Sequence, residues 1–239
     1  MRGCAQAQST MVIGGFQKTS LSDFPGVISS IVFTRGCGFR CPYCHNPELV
    51  EPSRFGPVVS KSDVKAFLRS RAGRIEGVVV TGGEPTAQPD LPEFLAEIKS
   101  MGLKVKLDTN GSDPDRLRSL ISERLVDFIA MDVKAPLDLY EKVVRVPVDA
   151  ADILASVQLV LACGLPHEFR TTFGGSPLSL ADLPAIGELV RGCQRYVIQA
   201  FRGGKTLEPG IAGSHSPDSR HLKQAAARLT AEGVPATVR

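Results

Sequence analysis

The pattern of apolar and polar residues predicts a chain in which strands and helices alternate. Residues 27–34 are rich in β-branched side chains, which favours a strand. Residues 77–81 contain three consecutive valines, an apolar run typical of a strand that is buried on both faces. Similar runs predict four more strands, at residues 103–107, 128–133, 169–173 and 195–201.

Capping residues predict the helices that lie between these strands. Ser60 and Asp63 form the pattern of a capping box, and Asp90 and Asp113 stand at the starts of two further helical patterns. The predicted helices cover residues 60–71, 91–100, a segment from residue 113, and residues 152–162, 179–190 and 219–231.

The order of these elements predicts the fold class. Six strand–helix units in succession imply an α/β fold with a parallel sheet and right-handed crossovers. Six units are too few to close an eight-stranded barrel, which leaves a doubly wound sheet or a partial (β/α)6 TIM-like barrel, and we expect the partial barrel. We expect residues 1–12 to be an N-terminal extension, with Met11 as an alternative start, and residues 13–239 to form a single domain.

Polar and glycine-rich segments directly follow four of the predicted strands. They cover residues 35–46, 82–85, 108–111 and 132–134. Because the carboxyl ends of parallel strands meet at one edge of a barrel, we expect these segments to converge there, where barrels carry their active sites. The sequence therefore predicts one active site that is built from four loops.

Composition excludes several functional classes. The formal net charge is only +3 and no run of five Lys or Arg residues occurs, so a nucleic-acid partner is not expected. No apolar stretch reaches the roughly 18 residues of a membrane span, and the N-terminus lacks the apolar core of a secretion signal. Three of the six cysteines are clustered, whereas Cys4, Cys163 and Cys193 are isolated and are expected to be inert buried thiols. This cysteine usage predicts a cytoplasmic location and one metal or redox site.

The clustered cysteines carry the strongest chemical signal. Cys37, Cys41 and Cys44 are separated by three and then two residues, a spacing that lets three thiolates wrap one face of a metal centre. Soft thiolates suit iron–sulfur clusters and zinc. A [4Fe–4S] cluster usually takes four cysteines, so three local thiolates leave one iron open for a substrate or cofactor.

Three other kinds of site share parts of this string. The pair Cys41 and Cys44 matches a glutaredoxin-type redox motif, although such domains are much shorter. The same pair followed by His45 matches the attachment string of c-type haem, which belongs to exported proteins. A structural Cys3His zinc site would use His45 as its fourth ligand. The spacing alone leaves these alternatives open.

Longer stretches of the sequence resemble a known family. The cysteine spacing with Tyr43 before the last cysteine, together with the string GGEP at residues 82–85, resembles the radical S-adenosylmethionine (SAM) superfamily. Within it, the chain resembles the activating proteins of anaerobic ribonucleoside-triphosphate reductases, which are glycyl-radical-enzyme activases. The resemblance covers roughly residues 13–170 and rests on the strings QKTSLSDFPGVISSIVFTRGCGFRCPYCHNPELV, VVTGGEPTAQ, KVKLDTNG and IAMDVKAP.

The resemblance implies a reaction and its cofactors. In this family three cysteines, here Cys37, Cys41 and Cys44, hold a [4Fe–4S] cluster, and SAM chelates the open iron through its amino and carboxylate groups. An electron from the cluster cleaves the sulfonium, and the resulting 5′-deoxyadenosyl radical takes a hydrogen atom from a backbone glycine of a large partner enzyme. The implied partners are a glycyl radical enzyme, namely an anaerobic ribonucleotide reductase, and a flavodoxin- or ferredoxin-like electron donor. The cofactor carries the chemistry while the protein supplies placement and shielding.

The resemblance also implies which residues contact SAM. Gly82 and Gly83 would let a backbone segment approach the ligand closely, because they carry no side chain. Glu84 would accept a hydrogen bond from the ammonium group of SAM. Tyr43 is expected at the adenine, and Asn110 is expected at the ribose.

A second group of residues matches the carboxylate end of the SAM site. Asp108, Thr109 and Asp132 match positions at which activases hold a monovalent cation, and Arg170 matches an arginine of the family. Two carboxylates ~4 Å apart repel each other by about 4 kcal/mol at an effective dielectric constant of 20. The carboxylate of SAM would add to this repulsion, so either a bound cation or Lys134 must compensate for it.

Two segments depart from the family pattern and leave the target open. Residues 173–175 read Phe-Gly-Gly where the family has Val-Val-Pro, and residues 199–203 read Gln-Ala-Phe-Arg-Gly where it has Gln-Pro-Phe-Arg-Pro. One alternative is therefore a radical SAM enzyme that acts on a small molecule, of the 7-carboxy-7-deazaguanine synthase type. Another is a non-catalytic metal or thiol redox module. The string CHNP at residues 44–47 favours the activase.

The histidines add no metal site to this interpretation. His45 and Asn46 are expected to shape the loop that carries the cysteines rather than to bind a ligand. His167, His215 and His221 show no metal-ligand spacing and are expected to be solvated or structural.

Overall fold

The computed structural model describes residues 10–174, 177–211, 213 and 217–239, in which strands and helices alternate. The strands are β1 (Ile13–Ser20), β2 (Ser29–Thr34), β3 (Gly77–Gly82), β4 (Lys104–Thr109), β5 (Phe128–Asp132), β6 (His167–Phe173), β7 (Tyr196–Ala200) and β8 (Ala236–Val238). The α-helices are α1 (Pro47–Val50), α2 (Lys61–Ser70), α3 (Leu91–Ser100), α4 (Pro114–Ser122), α5 (Tyr140–Val144), α6 (Ala150–Ala162), α7 (Leu183–Leu189) and α8 (Ser219–Ala231). Short 3-10 turns lie at Pro52–Arg54, Pro85–Ala87, Leu137–Leu139, Leu180–Asp182 and Pro209–Ile211.

All eight strands join one sheet in their order along the chain. Each neighbouring pair from β2 to β8 is parallel, and β1 pairs antiparallel to β2. In the part of the chain that is described, β1 and β8 lie at opposite edges, so the sheet is open. The structure confirms the predicted partial (β/α)6 TIM-like barrel, with one added strand at each edge.

The two edge strands were missed by the sequence prediction, for two different reasons. Only the first and last residues of β1 are buried, so its sequence lacks the alternation of a half-buried strand. Strand β8 has three residues, which is too short for a periodic pattern. The helix α5 and the short helix α1 were missed as well, since each is shorter than two turns.

Most of the predicted helix starts agree with the structure. Ser60 accepts a hydrogen bond from the backbone of α2, and Asp113 does the same for α4. Asp90 is the N-cap residue of α3 as predicted, but its carboxylate makes no capping hydrogen bond and instead accepts from Lys61 Nζ at 2.6 Å and from the backbone nitrogen of Met11. Helix α6 begins two residues earlier than predicted, with Asp149 as its cap.

The two faces of the sheet are packed differently. One face packs against the helices and contains alternate strand residues such as Val78, Val80 and Leu107. On the opposite face Ile31 and Val79 form a smaller cluster with two residues from the turn between β1 and β2. That turn lies against the first residue of β3, so the cluster closes the amino ends of the strands. The carboxyl ends are left for the loops that carry the polar residues.

No helix in the described part of the chain combines the length and the apolar composition that crossing a membrane requires.

Candidate functional site

One cavity of about 210 Å³ lies at the carboxyl ends of strands β2 to β7. Its wall contains every residue for which the sequence predicted a contact with a cluster or with SAM. These residues are Cys37, Cys41, Tyr43, Cys44, Gly82, Gly83, Glu84, Asp108, Thr109, Asn110, Asp132, Lys134 and Arg170. The four loops therefore converge as predicted, while the roles of these residues toward a cofactor stay predictions.

The cysteine loop (residues 35–46) is fixed by backbone hydrogen bonds. Gly36 N donates to Leu49 O at 2.7 Å, which anchors the start of the loop. Cys44 N donates to Cys41 O at 3.0 Å, which closes a tight turn at its end. The loop thus has a conformation that is defined by hydrogen bonds within the protein, to which the Arg40 and Gln88 side chains contribute as well.

Burial raises the pKa of all three thiols in this loop. The pKa of Cys37 rises to about 12, first through burial and then through the negative charge of Glu84. Burial is also the largest cause of the raised pKa of Cys41 and of Cys44. In the metal-free chain these thiols therefore keep their protons near neutral pH, and binding of a metal must release them.

The three thiols do not form the ligand set of a single metal ion. Within the described ranges, no three His, Cys, Asp or Glu side chains converge as the ligands of a single metal ion would. In a [4Fe–4S] cluster each thiolate binds its own iron, so its ligands need not meet at one point. Three soft thiolates without a fourth cysteine in the cavity wall fit a cluster that has one open iron.

The loop that follows β7 covers the last cysteine. The Phe201 ring stacks on His45 with ring centroids 5.3 Å apart, and His45 Nε2 lies 2.8 Å from Arg202 O. Leu207 N donates to Cys44 O at 3.0 Å. His45 is therefore occupied in joining two loops, which does not favour the alternative in which it is a zinc ligand.

The glycine pair at the end of β3 lies against the cysteine loop. Gly82 has φ +118°, and a Cβ atom there would lie 2.4 Å from the backbone nitrogen of Thr34. A Cβ on Gly83 would lie 2.0 Å from Gly36 O. Glu84 N donates to the same oxygen at 2.7 Å. The two glycines therefore let the end of β3 lie directly against the cysteine loop, and they also line the cavity.

The carboxylate of Glu84 links two of the loops. Its Oε1 accepts from the Thr86 and Thr109 hydroxyls, both at 2.7 Å, and from the Thr86 nitrogen at 3.1 Å. Its Oε2 accepts from Asn110 N at 2.8 Å, and Asn110 Nδ2 lies 3.8 Å from Cys37 Sγ. Burial is the largest influence on the pKa of Glu84 and raises it despite these hydrogen bonds. Glu84 therefore fixes the end of β4 beside the first cysteine.

Five charged side chains form a connected group below and beside the cavity. Arg170 bridges the two carboxylates, with Nε 2.7 Å from Asp132 Oδ1 and Nη1 3.1 Å from Asp108 Oδ2. Lys106 Nζ donates to Asp108 Oδ1 at 2.5 Å, and Lys134 Nζ donates to Asp132 Oδ2 at 2.8 Å. Each of the four carboxylate oxygens therefore has a cationic partner from the protein.

The pairing within this group shifts its pKa values. Burial alone would raise the pKa of Asp108, but attraction to Arg170 and then Lys106 outweighs it and holds the pKa below its usual value. The pKa of Asp132 is lowered further, because Arg170 and Lys134 outweigh the same effect of burial. Burial would lower the pKa of Lys134, but the attraction of Asp132 raises it well above its usual value. Asp108, Asp132 and Lys134 therefore stay charged near neutral pH.

Three polar residues of this region were missed by the sequence prediction. Lys106 has 2% of its side-chain surface exposed and completes the charged group. The feature of the sequence that could have identified Lys106 is its position between two apolar residues within a predicted strand. Thr172 and Gln199 line the cavity on β6 and β7, and the Thr172 hydroxyl donates to Gln199 Oε1 at 3.3 Å.

Outside the cysteine loop, the cysteines and histidines with a described position do not line the cavity. Cys193 is buried, and burial raises its pKa to about 11. Cys163 is only partly buried, so the expectation of a buried thiol is wrong for this residue, and its thiol donates to Val160 O at 3.1 Å. His167 is buried, with Nδ1 2.9 Å from Leu165 O. The predictions for Cys4, Gly175 and His215 lie outside the described residues.

Comparison with known sequences identifies the family of this chain. The sequence profile of the radical SAM superfamily matches residues 31–190. A protein of Methanocaldococcus jannaschii, described as an inferred glycyl-radical enzyme activating enzyme, is 34% identical to this chain over 220 residues. The alignment covers 89% of each of the two proteins. The pyruvate formate-lyase-activating enzyme of Clostridium pasteurianum is 32% identical over 133 residues, which cover 52% of this chain and 54% of that enzyme. The alignment thus spans about half the length of that second relative.

Solved structures share the fold at low sequence identity. SuiB of Streptococcus suis, bound to the precursor peptide SuiA, matches with a TM-score of 0.66 and 13% identity, covering 85% of this chain and 46% of that one. Coproporphyrinogen III oxidase (HemN) of Escherichia coli, a radical SAM enzyme, matches with a TM-score of 0.58 and 17% identity. That match covers 89% of this chain and 54% of HemN.

Proposed function

This chain belongs to the radical SAM superfamily and is a radical SAM enzyme, and from that premise we propose that it is an activase that installs a glycyl radical on a partner enzyme. The relative from Methanocaldococcus jannaschii supports this proposal, because it is 34% identical and matches over 89% of both chains. We further propose that residues 13–239 act as one radical SAM domain, since the single sheet runs from Ile13 to Val238.

One observation carries the proposal. The thiols of Cys37, Cys41 and Cys44 share a single cavity wall with the glycine pair at the end of β3 and with four of the five charged side chains, namely Asp108, Asp132, Lys134 and Arg170. These parts lie far apart in the sequence, and only the parallel sheet brings their loops together. A thiol redox motif or a structural zinc site would need the cysteines but has no use for the other two parts.

We propose that the three cysteines hold the cluster. When bound, a [4Fe–4S] cluster supplies the electron that breaks the sulfonium bond of SAM to give methionine. The protein has to keep the three thiolates in place and to shield them. The Tyr43 hydroxyl is buried beside the Cys41 thiol, and the loop after β7 covers Cys44. These contacts would limit the access of water and oxygen to the ligands.

We propose that the charged group receives the carboxylate of SAM. Lys106, Lys134 and Arg170 carry three positive charges against the two negative charges of Asp108 and Asp132. Lys134 and Arg170 lie in the cavity wall and are the cationic groups that we expect to contact the carboxylate. The amino and ribose ends of SAM would then lie toward the loops of β3 and β4.

Three further loop residues are proposed to orient the other end of SAM. Glu84 Oε2 has one hydrogen-bond donor from the protein, Asn110 N, whereas Oε1 has three. A carboxylate oxygen can accept a further hydrogen bond, so Oε2 is the atom we expect to accept from the ammonium group. The Asn110 amide and the Tyr43 ring complete this side of the cavity.

The partner is proposed at the level of its chemistry. It is a glycyl radical enzyme that gives up one hydrogen atom from a glycine Cα, which ends on 5′-deoxyadenosine. We propose an anaerobic ribonucleotide reductase, on the sequence resemblance, and a flavodoxin- or ferredoxin-like donor for the electron. The expected cytoplasmic location and the absence of a nucleic-acid partner stay predictions.

The proposal is tested by anaerobic reconstitution with iron and sulfide, followed by incubation with SAM, a reductant and the ribonucleotide reductase from the same organism. We expect 5′-deoxyadenosine, methionine and the doublet of a glycyl radical in the electron paramagnetic resonance spectrum of the partner. The control is a partner in which the radical-bearing glycine is replaced by alanine, which should give no doublet.

Two outcomes would contradict different parts of the proposal. Cleavage of SAM without a radical on any glycyl radical enzyme offered would refute the activase and favour a small-molecule substrate. One equivalent of zinc and no inorganic sulfide would refute the cluster itself.

A further inference from the structure

The structure bears on the monovalent cation that the resemblance implies at Asp108, Thr109 and Asp132. The side-chain oxygens that would bind such a cation already have partners within the protein. The Thr109 hydroxyl donates to Glu84 Oε1 at 2.7 Å and accepts from Gly111 N at 3.1 Å. It is therefore directed at the end of β3 and away from the two aspartates.

Each oxygen of both aspartates already has one cationic partner. The two oxygens of Asp108 accept from Lys106 at 2.5 Å and from Arg170 at 3.1 Å. The two oxygens of Asp132 accept from Arg170 at 2.7 Å and from Lys134 at 2.8 Å. A cation bound between the two aspartates would lie at short range from these positive charges, which disfavours it.

Lys106 is held in place more firmly than an exposed lysine would be. It precedes Asp108 by two residues on β4, so both side chains leave the strand on the same face. Its side chain is 2% exposed, and Nζ lies 5.8 Å from the centre of the Phe128 ring, a favourable cation–π distance. The ammonium group therefore cannot turn out to solvent without leaving a buried gap.

Two further carboxylates lie near this group. Glu168 is 3.9 Å from Arg170 and 3.7 Å from Arg195, so it is shared between two arginines. Glu84 has its own donors in the loops of β3 and β4. The cavity wall itself contains Lys134 and Arg170, which can lie beside the SAM carboxylate where a cation is expected, while Lys106 pairs with Asp108 behind them.

We propose that Lys106, with Arg170 and Lys134, takes the place of the monovalent cation, so that SAM binding needs neither potassium nor sodium. This inference rests on the proposed function, since it concerns the same SAM site. It assigns to Lys106 a positioning role: its charge fixes Asp108, and Asp108 in turn holds Arg170 beside the cavity.

The first test uses the wild-type enzyme with its cluster reconstituted. SAM affinity is measured by equilibrium dialysis in choline chloride, potassium chloride and sodium chloride at equal ionic strength. We expect the three dissociation constants to agree within about twofold. A loss of about tenfold or more in choline, restored by potassium or sodium in a saturable way, would overturn the inference.

The second test uses three substitutions on β4. Lys106→Met removes the charge but keeps the bulk, and we expect SAM binding about tenfold weaker in choline, with partial recovery in potassium. Lys106→Arg should keep wild-type affinity in every salt. Lys104→Met is the matched control, because Lys104 lies on the same strand but is exposed, and it should change nothing. Wild-type affinity of Lys106→Met in all salts would show that Lys106 has no such role.

The design separates this inference from the proposed function. Iron and sulfide content and 5′-deoxyadenosine formation are measured on the same samples. If these are absent in the wild type, the radical SAM assignment of the site has failed. If they are present and SAM binding requires a monovalent cation, only this inference has failed. If Lys106→Met does not fold, as judged by circular dichroism, the salt dependence of the wild type decides.

Discussion

Arg170 donates from Nε to Asp132 Oδ1 at 2.7 Å, and the two residues are also register partners in the β5–β6 pair. The same guanidinium reaches Asp108 on β4, one strand further along the sheet. The register of the parallel strands thus places Asp132 beside Arg170, and the long Arg170 side chain reaches Asp108, whose register partner on β5 is Ala130, two residues before Asp132. Since that register is set by the apolar face of the sheet, packing far from the cavity determines where the charges meet.

We expect Asp132→Asn to weaken SAM binding more than cluster assembly, because Arg170 and Lys134 would lose the carboxylate that orients them. The free energy of unfolding should fall by about 1–3 kcal/mol, since the Asp132 side chain is 27% exposed and the pair is only partly desolvated. Iron and sulfide content, SAM dialysis and urea unfolding measure these three effects. Asp115→Asn is the control, because its pair with Arg118 is exposed. Unchanged SAM affinity in Asp132→Asn would contradict the assignment of the charged group.

We expect Cys41→Ala to abolish 5′-deoxyadenosine formation, because two thiolates cannot replace three as ligands of the cluster. Cys193→Ala is the matched control, since Cys193 is also buried but does not line the cavity. The product is measured by chromatography after anaerobic reconstitution, and acid-labile sulfide is measured on the same protein. Wild-type product formation by Cys41→Ala would show that this thiol is not a ligand.

We expect Gly83→Ala to separate the end of β3 from the cysteine loop, because its Cβ would lie 2.0 Å from Gly36 O. A backbone oxygen cannot rotate away as a side chain can, so we expect a loss of about 2–3 kcal/mol in the free energy of unfolding. Gly38 lies in the cysteine loop and has open space at its Cβ position. Gly38→Ala should therefore change the free energy of unfolding by at most about 1 kcal/mol. Urea unfolding of the metal-free proteins measures both, and equal stabilities of the two variants would refute the steric argument.

We expect the stability of the metal-free protein to fall with acid through the two aspartates of the charged group. The pKa values of Asp108 and Asp132 are lower in the folded chain than in the unfolded one. The folded state therefore gains stability that is fully present above the unfolded pKa of about 3.9 and is lost as the pH falls below it.

The variant Asp108→Asn tests this pH dependence. It should be less stable than the wild type at about pH 7, and the difference should shrink below about pH 4, where the wild type loses the same interaction. Urea unfolding at several pH values measures it. A difference that stays constant down to about pH 3 would mean that Asp108 is not held below its usual pKa.

Much of the fold could be predicted because its signals are local. The valines of β3 and the caps at Ser60 and Asp113 depend on neighbouring residues, and the structure places these elements close to the predicted bounds. Asp90 stands at the predicted N-cap position of α3, but its carboxylate does not make the capping hydrogen bond because it pairs with Lys61 of another helix. Strand β8 could not be predicted because its three residues become a strand only by pairing with β7.

For the site, the sequence by itself determined the chemistry of the parts: three thiols at a fixed spacing, a glycine pair after a strand, and two aspartates after two others. Only the tertiary structure decided how these parts are connected. It directed Glu84 to Asn110, brought Gly83 against Gly36, and placed Lys106 beside Asp108 with Arg170 between the two aspartates. The physical reason is that spacing along the chain fixes which groups can share a loop, whereas charge pairing across strands depends on sheet register and burial, which long-range packing sets.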